Sequence, residues 1–138
     1  MEKSLRMYEA CAGSSAIRQL RMLGERLSGR RVVHVNSTRE GGGVAEILAW
    51  MVPLMRDLGL DAGWEVIRGA TDFYSVTKSI HNGLQGFPVN ISQKGWATYQ
   101  ATNEMNAETL RPILEEADIV VIHDPQPAAL LQLCGGRR

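Results

Sequence analysis

Two polar segments of the sequence carry residue types that bind small ligands. Residues 36–43 (Asn-Ser-Thr-Arg-Glu-Gly-Gly-Gly) and residues 123–126 (His-Asp-Pro-Gln) each follow a short apolar run. In the second segment, Asp124 can accept hydrogen bonds from sugar hydroxyls, and His123 can donate or accept one. In the first, the three glycines let the backbone adopt positive φ and approach a phosphate closely. The two segments together suit a ligand that carries both hydroxyl groups and a phosphate.

Structural explanations compete with each of these assignments. The glycine segment lacks the spacing of a dinucleotide-binding motif and the lysine of a P-loop, so a plain turn would also explain it. Asp124 could instead cap a helix that begins after Pro125, with His123 serving only in packing. His34 lies in an apolar run and could be either a ligand or a hydrogen-bonded strand histidine.

Two further pairs of residues have the same ambiguity. His81 and Asn82 fall within a predicted helix, where one imidazole and one amide can serve structure or function. Trp64 and Trp96 could stack on a sugar ring, although a tryptophan in the core is the usual finding.

The alternation of apolar runs with turn residues predicts an α/β domain with a parallel sheet. Open parallel sheets bind ligands beyond the carboxyl ends of their strands, so the two polar segments could face one crevice. The predicted helices span about 4–28, 44–58, 73–84, 97–117 and 128–133, and the predicted strands about 31–36, 62–67 and 118–122, with an irregular loop at 86–96.

Three residues should modify these helices. Gly13 should break the first one, because glycine is a poor helix former. Pro53 should kink the second helix or remove one of its backbone hydrogen bonds. Asp72 should cap the third.

The amino-acid composition argues against some classes of binding partner. The chain has 138 residues, and its 15 basic residues balance its 15 acidic ones. This balance argues against nucleic acid or an acidic membrane as a partner. Cys11 and Cys134 are far apart, without the spacing of metal ligands, so neither a disulfide framework nor a metal site is expected. The absence of an apolar signal segment and of a membrane-length run predicts a cytoplasmic location.

Six segments, taken in order, resemble the N-terminal domain of retaining glycosyltransferases with the GT-B architecture, and in particular the trehalose glycosyltransferring synthases. They are His-Val-Asn-Ser-Thr (34–38), Gly-Gly-Gly-Val-Ala-Glu-Ile-Leu (41–48), Val-Pro-Leu (52–54), Trp-Glu-Val-Ile (64–67), His-Asn-Gly-Leu-Gln-Gly (81–86) and His-Asp-Pro-Gln-Pro (123–127). Those synthases join glucose from a nucleotide sugar to free glucose. The resemblance therefore implies a Rossmann-like parallel sheet with flanking helices, a glucose-like acceptor, a nucleotide-sugar donor and no metal or other cofactor.

The resemblance also implies roles for individual residues. In such enzymes the glycine loop faces the donor diphosphate. In the more distant trehalose-phosphate synthases, a His-Asp pair ends a comparable strand, and its aspartate binds the acceptor glucose. The residues implied for phosphate are Gly41, Gly42 and Gly43, and those implied for the substrate are Asp124, His123, His81, Asn82 and Gln126. Transfer in this class retains the anomeric configuration and is commonly pictured as front-face attack, so that stabilisation of the leaving diphosphate dominates.

The family pattern continues with a histidine-bearing strand and a second Rossmann-like domain that this sequence does not contain. We therefore expect an N-terminal helical segment at 1–30 and a partial acceptor-side domain at 31–138, without the donor-binding domain. Such a chain should not catalyse transfer by itself, and its uncovered sheet edge should favour homo-oligomers. The alternatives are a non-catalytic α/β module that binds a phosphate ligand or a partner chain, and a hexosyltransferase with another acceptor.

Overall fold

The computed structural model describes residues 3–135. They form an α/β fold in which a parallel sheet packs against helices, as the sequence predicts. In chain order the elements are a 3-10 helix (Leu5–Tyr8), α1 (Glu9–Arg26), β1 (Arg31–Asn36), α2 (Gly43–Asp57), β2 (Asp61–Val66), α3 (Thr71–Leu84), α4 (Gln93–Glu116), β3 (Ile119–Ile122) and α5 (Leu130–Leu133).

The three strands of the sheet lie in the order β2-β1-β3, with β1 in the centre. β1 pairs in parallel with both neighbours, so that Val32 lies opposite Ala62 of β2 and Ile119 of β3. The carboxyl ends of all three strands therefore lie at one edge of the sheet. The loops that follow β1 and β3 leave from neighbouring positions at that edge.

Helices cover both faces of β1, which explains why its sequence is a continuous apolar run. Val33 and Val35 belong to a core cluster with residues of α3, α4 and α5, including Phe73 and Leu114. The next side chain along the strand, His34, points the other way and contacts α2. Successive side chains of a strand alternate between its faces, and so β1 connects the two layers of helices.

Pro53 does not end α2, which continues through it to Asp57. Proline has no N–H, so the carbonyl oxygen of Ala49 lacks its usual partner within the helix. The Lys3 ammonium donates to this oxygen at 2.7 Å, and it also lies 4.1 Å from the centroid of the Trp50 ring. The sequence thus predicted the lost hydrogen bond correctly, and the N-terminal segment supplies the replacement.

The N-terminal segment packs against α2 at further points. The backbone N–H of Leu5 donates to the Asp57 carboxylate at 2.8 Å. Gly24 lies so close to Leu58 that an added Cβ would be 2.7 Å from its carbonyl oxygen. Within α1, Gly13 has φ 81 and ψ 150, so the helix is broken where the sequence predicts it.

Two predicted helix starts were wrong. Asp72 is not the cap of α3, because Ala70 is in the capping position and the Asp72 carboxylate accepts from the N–H of Phe73 at 2.8 Å. α4 begins at Gln93 instead of 97, because the hydroxyl of Ser92 caps it by accepting from the N–H of Gly95 at 3.1 Å.

The outer edge of β2 is covered by arginine side chains. Alternate residues of β2 bond to β1, which leaves the carbonyl groups of Ala62 and Trp64 directed outward. Arg56 donates to the Ala62 oxygen at 2.7 Å, and Arg39 donates to the Trp64 oxygen at 3.0 Å. Charged side chains at this position oppose pairing with another strand.

None of the helices in the described part of the chain combines the length and apolar character that crossing a membrane requires.

Candidate functional site

A polar pocket of about 360 Å³ opens at the edge of the sheet where the strands end. One wall is the helix α3, and the other is the loop that follows β3. The lining residues are Tyr74, Thr77, Lys78 and His81 from α3, with Asp124 and Gln126 from the loop. Three of the five residues that the sequence assigns to the substrate, His81, Asp124 and Gln126, are thus brought together.

The helical wall follows from the spacing of its residues. Tyr74, Thr77, Lys78 and His81 follow the spacing i, i+3, i+4, i+7, so they share one face of α3. The helix is fixed from behind by Phe73, which is fully buried and stacks on Tyr99 with ring centroids 6.0 Å apart. The helix that forms this wall of the pocket is therefore packed against the hydrophobic core.

The loop wall is held by side chains of α4. The Tyr99 hydroxyl donates to the carbonyl oxygen of Pro125 at 2.9 Å, and the Asn103 amide donates to that of Gln126 at 3.1 Å. Partial burial raises the pKa of Tyr99, so its hydroxyl stays protonated and able to donate. Two successive loop residues are thus tied to the same helix.

The Asp124 carboxylate is accessible to a ligand. Its side chain is exposed, and among residues 3–135 it forms no salt bridge. It does not cap the next helix, since α5 begins at Leu130 with Ala129 in the capping position. The capping alternative for Asp124 is therefore wrong, and its carboxylate keeps its full capacity to accept hydrogen bonds.

Gln126 carries an unpaired acceptor at the pocket. Its side-chain oxygen Oε1 is buried, and no group in the described residues donates a hydrogen bond to it. Leaving a buried acceptor unpaired costs about 1–3 kcal/mol. Gln126 therefore brings an unsatisfied hydrogen-bond acceptor to the residues that line the pocket.

His123 lies behind the pocket instead of lining it. Its Nε2 is 3.0 Å from Nδ1 of His34, and the two rings stack with centroids 5.3 Å apart. Burial lowers the pKa of His34 below its usual 6.5, and the neighbouring His123 lowers it further. Burial also lowers the pKa of His123, although the Asp124 carboxylate acts in the opposite direction. Both imidazoles are therefore neutral near pH 7, and His34 is a hydrogen-bonded strand histidine.

The glycine loop is near the pocket but does not line it. Gly41 and Gly42 have φ 73 and 91, and α2 begins at Gly43. No atom lies within 4 Å of where a Cβ would stand on any of these three glycines, so the space above them is open. The hydroxyl of Tyr74 in the pocket wall donates to the Ser37 carbonyl oxygen at 3.2 Å and links the two regions.

Two further candidates lie outside the pocket lining. Asn82 is on α3 outside the pocket lining, and its backbone oxygen accepts from the N–H groups of Gln85 and Phe87. Trp64 donates to the Asn36 side chain at 2.8 Å, and the Arg39 guanidinium covers its ring at 4.2 Å. This tryptophan face is therefore occupied by the protein itself.

The pocket contains one side chain of each charge, Lys78 and Asp124. The opposite charges suit a polar ligand without net charge better than a strongly anionic one. Within residues 3–135, no three His, Cys, Asp or Glu side chains converge on a point where a metal ion could be held.

Sequence reasoning missed three lining residues, Tyr74, Thr77 and Lys78. Each belongs to the helix that carries His81, and the repeat of three and four positions places all of them beside it. That spacing was the signal that could have found them.

Residues 34–138 match the family model described as "Trehalose synthase, N-terminal domain". The matched range begins within β1 and contains the glycine loop and every residue of the pocket.

Curated trehalose synthases are similar over nearly the whole chain. The protein from Rubrobacter xylanophilus is 43% identical over 134 residues, which cover 97% of this chain and 32% of that relative. The protein from Thermococcus litoralis is 46% identical over 131 residues, covering 94% of this chain and 31% of the relative. For Pyrococcus horikoshii the identity is 42% over 132 residues, with 95% and 31% covered. The chain thus spans about a third of the length of the curated relatives it matches.

Proposed function

The chain belongs to the family of trehalose synthase N-terminal domains, and from this premise we propose that it forms the acceptor-binding side of a trehalose-forming glycosyltransferase. The reaction would transfer glucose from a nucleotide sugar to free glucose. The observation that carries the proposal is the pocket in which His81, Asp124 and Gln126 converge from two separate elements.

The chemistry of the pocket suits a hexose. Its volume of about 360 Å³ is within the range of small-molecule sites. The exposed Asp124 carboxylate can accept hydrogen bonds from two neighbouring hydroxyls, and such charge-assisted bonds are short and strong. Gln126 and His81 can both donate and accept, so they suit hydroxyl groups, which do the same.

The glycine loop would take the donor diphosphate. The open space above Gly42 and Gly43 lets an anion approach the backbone at the N-terminus of α2, where the helix dipole favours negative charge. This placement supports front-face attack with retained configuration, in which the departing phosphate assists removal of the acceptor proton. Electrostatic stabilisation of that phosphate would then supply most of the catalytic effect.

We expect the 138-residue chain by itself to bind the acceptor without transferring glucose, because its relatives are much longer. Incubation with glucose and UDP-, ADP- or GDP-glucose should yield no trehalose above the level without protein. Formation of trehalose in proportion to the amount of chain would contradict this part of the proposal.

Isothermal titration calorimetry with glucose tests acceptor binding. Replacing Asp124 with alanine should weaken glucose binding at least about tenfold, because a hydrogen bond to a charged group contributes about 1.5–3 kcal/mol. Asp61 is a matched control, since its exposed carboxylate lies at the amino end of β2, at the opposite edge of the sheet. Asp61→Ala should leave the affinity unchanged.

The same titration separates the alternatives. A phosphate-binding module would bind inorganic phosphate without any dependence on sugar, and a transferase with another acceptor would bind a different hexose more tightly than glucose. Failure of glucose to bind, or equal binding by Asp124→Ala and the original chain, would refute the acceptor-site proposal.

A further inference from the structure

The paired imidazoles behind the pocket have no part in the ligand contacts described above. His34 is 3% exposed, lies on the central strand and contacts two elements. Its Nδ1 is 3.0 Å from His123 Nε2, and its Nε2 is 3.3 Å from the Met55 sulfur on α2. The three side chains form a continuous line from α2 through β1 to the residue that precedes Asp124.

The positions of the protons along this line follow from the acceptors available. A neutral imidazole has one N–H, and a thioether sulfur can only accept. If His34 carries its proton on Nε2, it donates to Met55 and leaves Nδ1 to accept from the Nε2–H of His123. The reverse arrangement directs an unprotonated His34 nitrogen at the sulfur, where no hydrogen bond can form. The first arrangement makes one more hydrogen bond.

The line of side chains ends beside a residue, Asp124, whose backbone conformation is unusual. Asp124 has φ 66 and is the one non-glycine residue between 3 and 135 with positive φ. Such a conformation persists when the surrounding structure fixes it. The Tyr99 hydroxyl holds the chain after Asp124 through Pro125, and the His123 N–H holds it before Asp124 by donating to the Val35 oxygen at 2.9 Å.

We propose that His34 is a positioning residue, whose hydrogen bond keeps His123 protonated on Nε2 and, through His123, fixes the turn that presents Asp124 to the acceptor. The statement about the acceptor rests on the proposed function, whereas the statements about the His123 proton and the Asp124 turn do not. Asp124 would contact the sugar, and His34 would act only through its neighbour.

The variants His34→Asn and His34→Gln test the link with the same functional group. The amide of asparagine occupies nearly the position of Nδ1, so it can still accept from His123. The amide of glutamine extends to nearly the position of Nε2 and leaves His123 without its partner. Met55→Leu is a milder third variant, because it conserves volume and removes only the sulfur acceptor.

Nitrogen-15 NMR of the imidazoles reads the protonation of each ring nitrogen directly. The sequence contains 3 histidines, so the spectrum is simple to assign. At pH 7.5, His123 should be protonated on Nε2 in the original chain and in His34→Asn. In His34→Gln, the His123 signals should report a mixture of the Nε2-protonated and Nδ1-protonated forms. In Met55→Leu, the His34 signals should shift toward a mixture of the same two forms.

Two further measurements test whether the substitution of His34 affects Asp124 and glucose binding. The backbone amide signal of Asp124 should move in His34→Gln and stay near its original position in His34→Asn. Glucose affinity should fall about fivefold in His34→Gln and remain within about twofold in His34→Asn. If the substitutions instead disrupted the fold as a whole, both variants would bind glucose more weakly and amide signals would move throughout the chain.

Each outcome decides the proposal. A His123 protonated on Nδ1 in the original chain would overturn it, as would His123 and Asp124 signals that are unaffected by His34→Gln. If glucose does not bind the original chain, the acceptor proposal fails, while the imidazole and Asp124 signals still decide the role of His34. If His34→Gln does not fold, the imidazole signals of Met55→Leu decide it.

Discussion

The loop after β1 and the loop after β3 leave neighbouring parallel strands at the same edge of the sheet, yet they offer a ligand different groups. The loop after β3 presents side chains, Asp124 and Gln126, toward a pocket. The loop after β1 presents backbone, because its glycines have no side chains and the space above them is open. Side-chain acceptors suit hydroxyl groups, and backbone N–H groups at a helix start suit phosphate.

The two loops also differ in how they are fixed. Side chains from β1 and α4 reach the loop after β3, through His34, Tyr99 and Asn103. The loop after β1 is tied to the rest of the protein at Ser37 and Arg39, but its glycine segment (residues 41–43) depends on local backbone conformation, with positive φ at Gly41 and Gly42. The ligand-facing part of one loop is thus positioned by tertiary contacts and that of the other by local backbone geometry, so different substitutions should disturb them.

The largest effect should come from the variant Gly42→Ala. With φ 91 and ψ 151, Gly42 occupies a region that is essentially restricted to glycine, so alanine should lower the free energy of unfolding by about 1–3 kcal/mol. Gly43→Ala is the matched control, since Gly43 is the first helical residue and has open space for a Cβ. It should be neutral or stabilising by up to about 1 kcal/mol.

Urea denaturation of both variants measures this difference, and glucose titration of both shows whether it reaches the pocket. Glucose affinity should be unchanged in each. Equal stability of Gly42→Ala and Gly43→Ala would refute the local account of the glycine loop, and a loss of glucose binding in either would refute the separation of the two loops.

A smaller effect should come from pH, and it should act on the contact between His34 of β1 and His123 of the loop after β3. Burial lowers the pKa of both His34 and His123, so the unfolded chain binds protons more readily than the folded one. The free energy of unfolding should therefore fall as the pH decreases below about 6.5, by no more than about 1.4 kcal/mol per pH unit for each histidine.

Urea denaturation at pH 7.5 and 5.5 measures this dependence, because most carboxylates keep their charge over that range. The groups that act on the pair are the two imidazoles themselves and the Asp124 carboxylate. The exposed His81 is the control, and His81→Gln should keep the full pH dependence. An unfolding free energy that is the same at both pH values would contradict the burial of a neutral pair.

The sequence predicted the parts of this arrangement that depend on local pattern. The apolar runs predicted the strands, and the rule that parallel sheets bind ligands beyond their carboxyl ends predicted the edge at which Asp124 and Gln126 line a pocket. That these residues bind a ligand stays a prediction. His81 joins them because it lies on the face of α3 that forms the other wall of the pocket. The early start of α4 was missed, since Gly95 weakens the helical signal and the Ser92 cap that compensates for it is a single hydrogen bond.

What the sequence could not predict depends on contacts between distant residues. The pairing of His34 with His123 joins positions 89 apart and depends on strand register. The replacement of the Pro53 hydrogen bond by Lys3 joins positions 46 apart. No periodicity encodes such contacts, because they arise only when the sheet and its helices have assembled.

We propose that the acceptor glucose binds between α3 and the loop after β3. Titration of the nitrogen-15-labelled chain with glucose, followed through its backbone amide signals, tests this binding site. We expect saturable shifts at Asp124, Gln126 and the lining positions of α3, with none at residues 41–43. Shifts confined to residues 41–43, or no shifts at millimolar glucose, would contradict it.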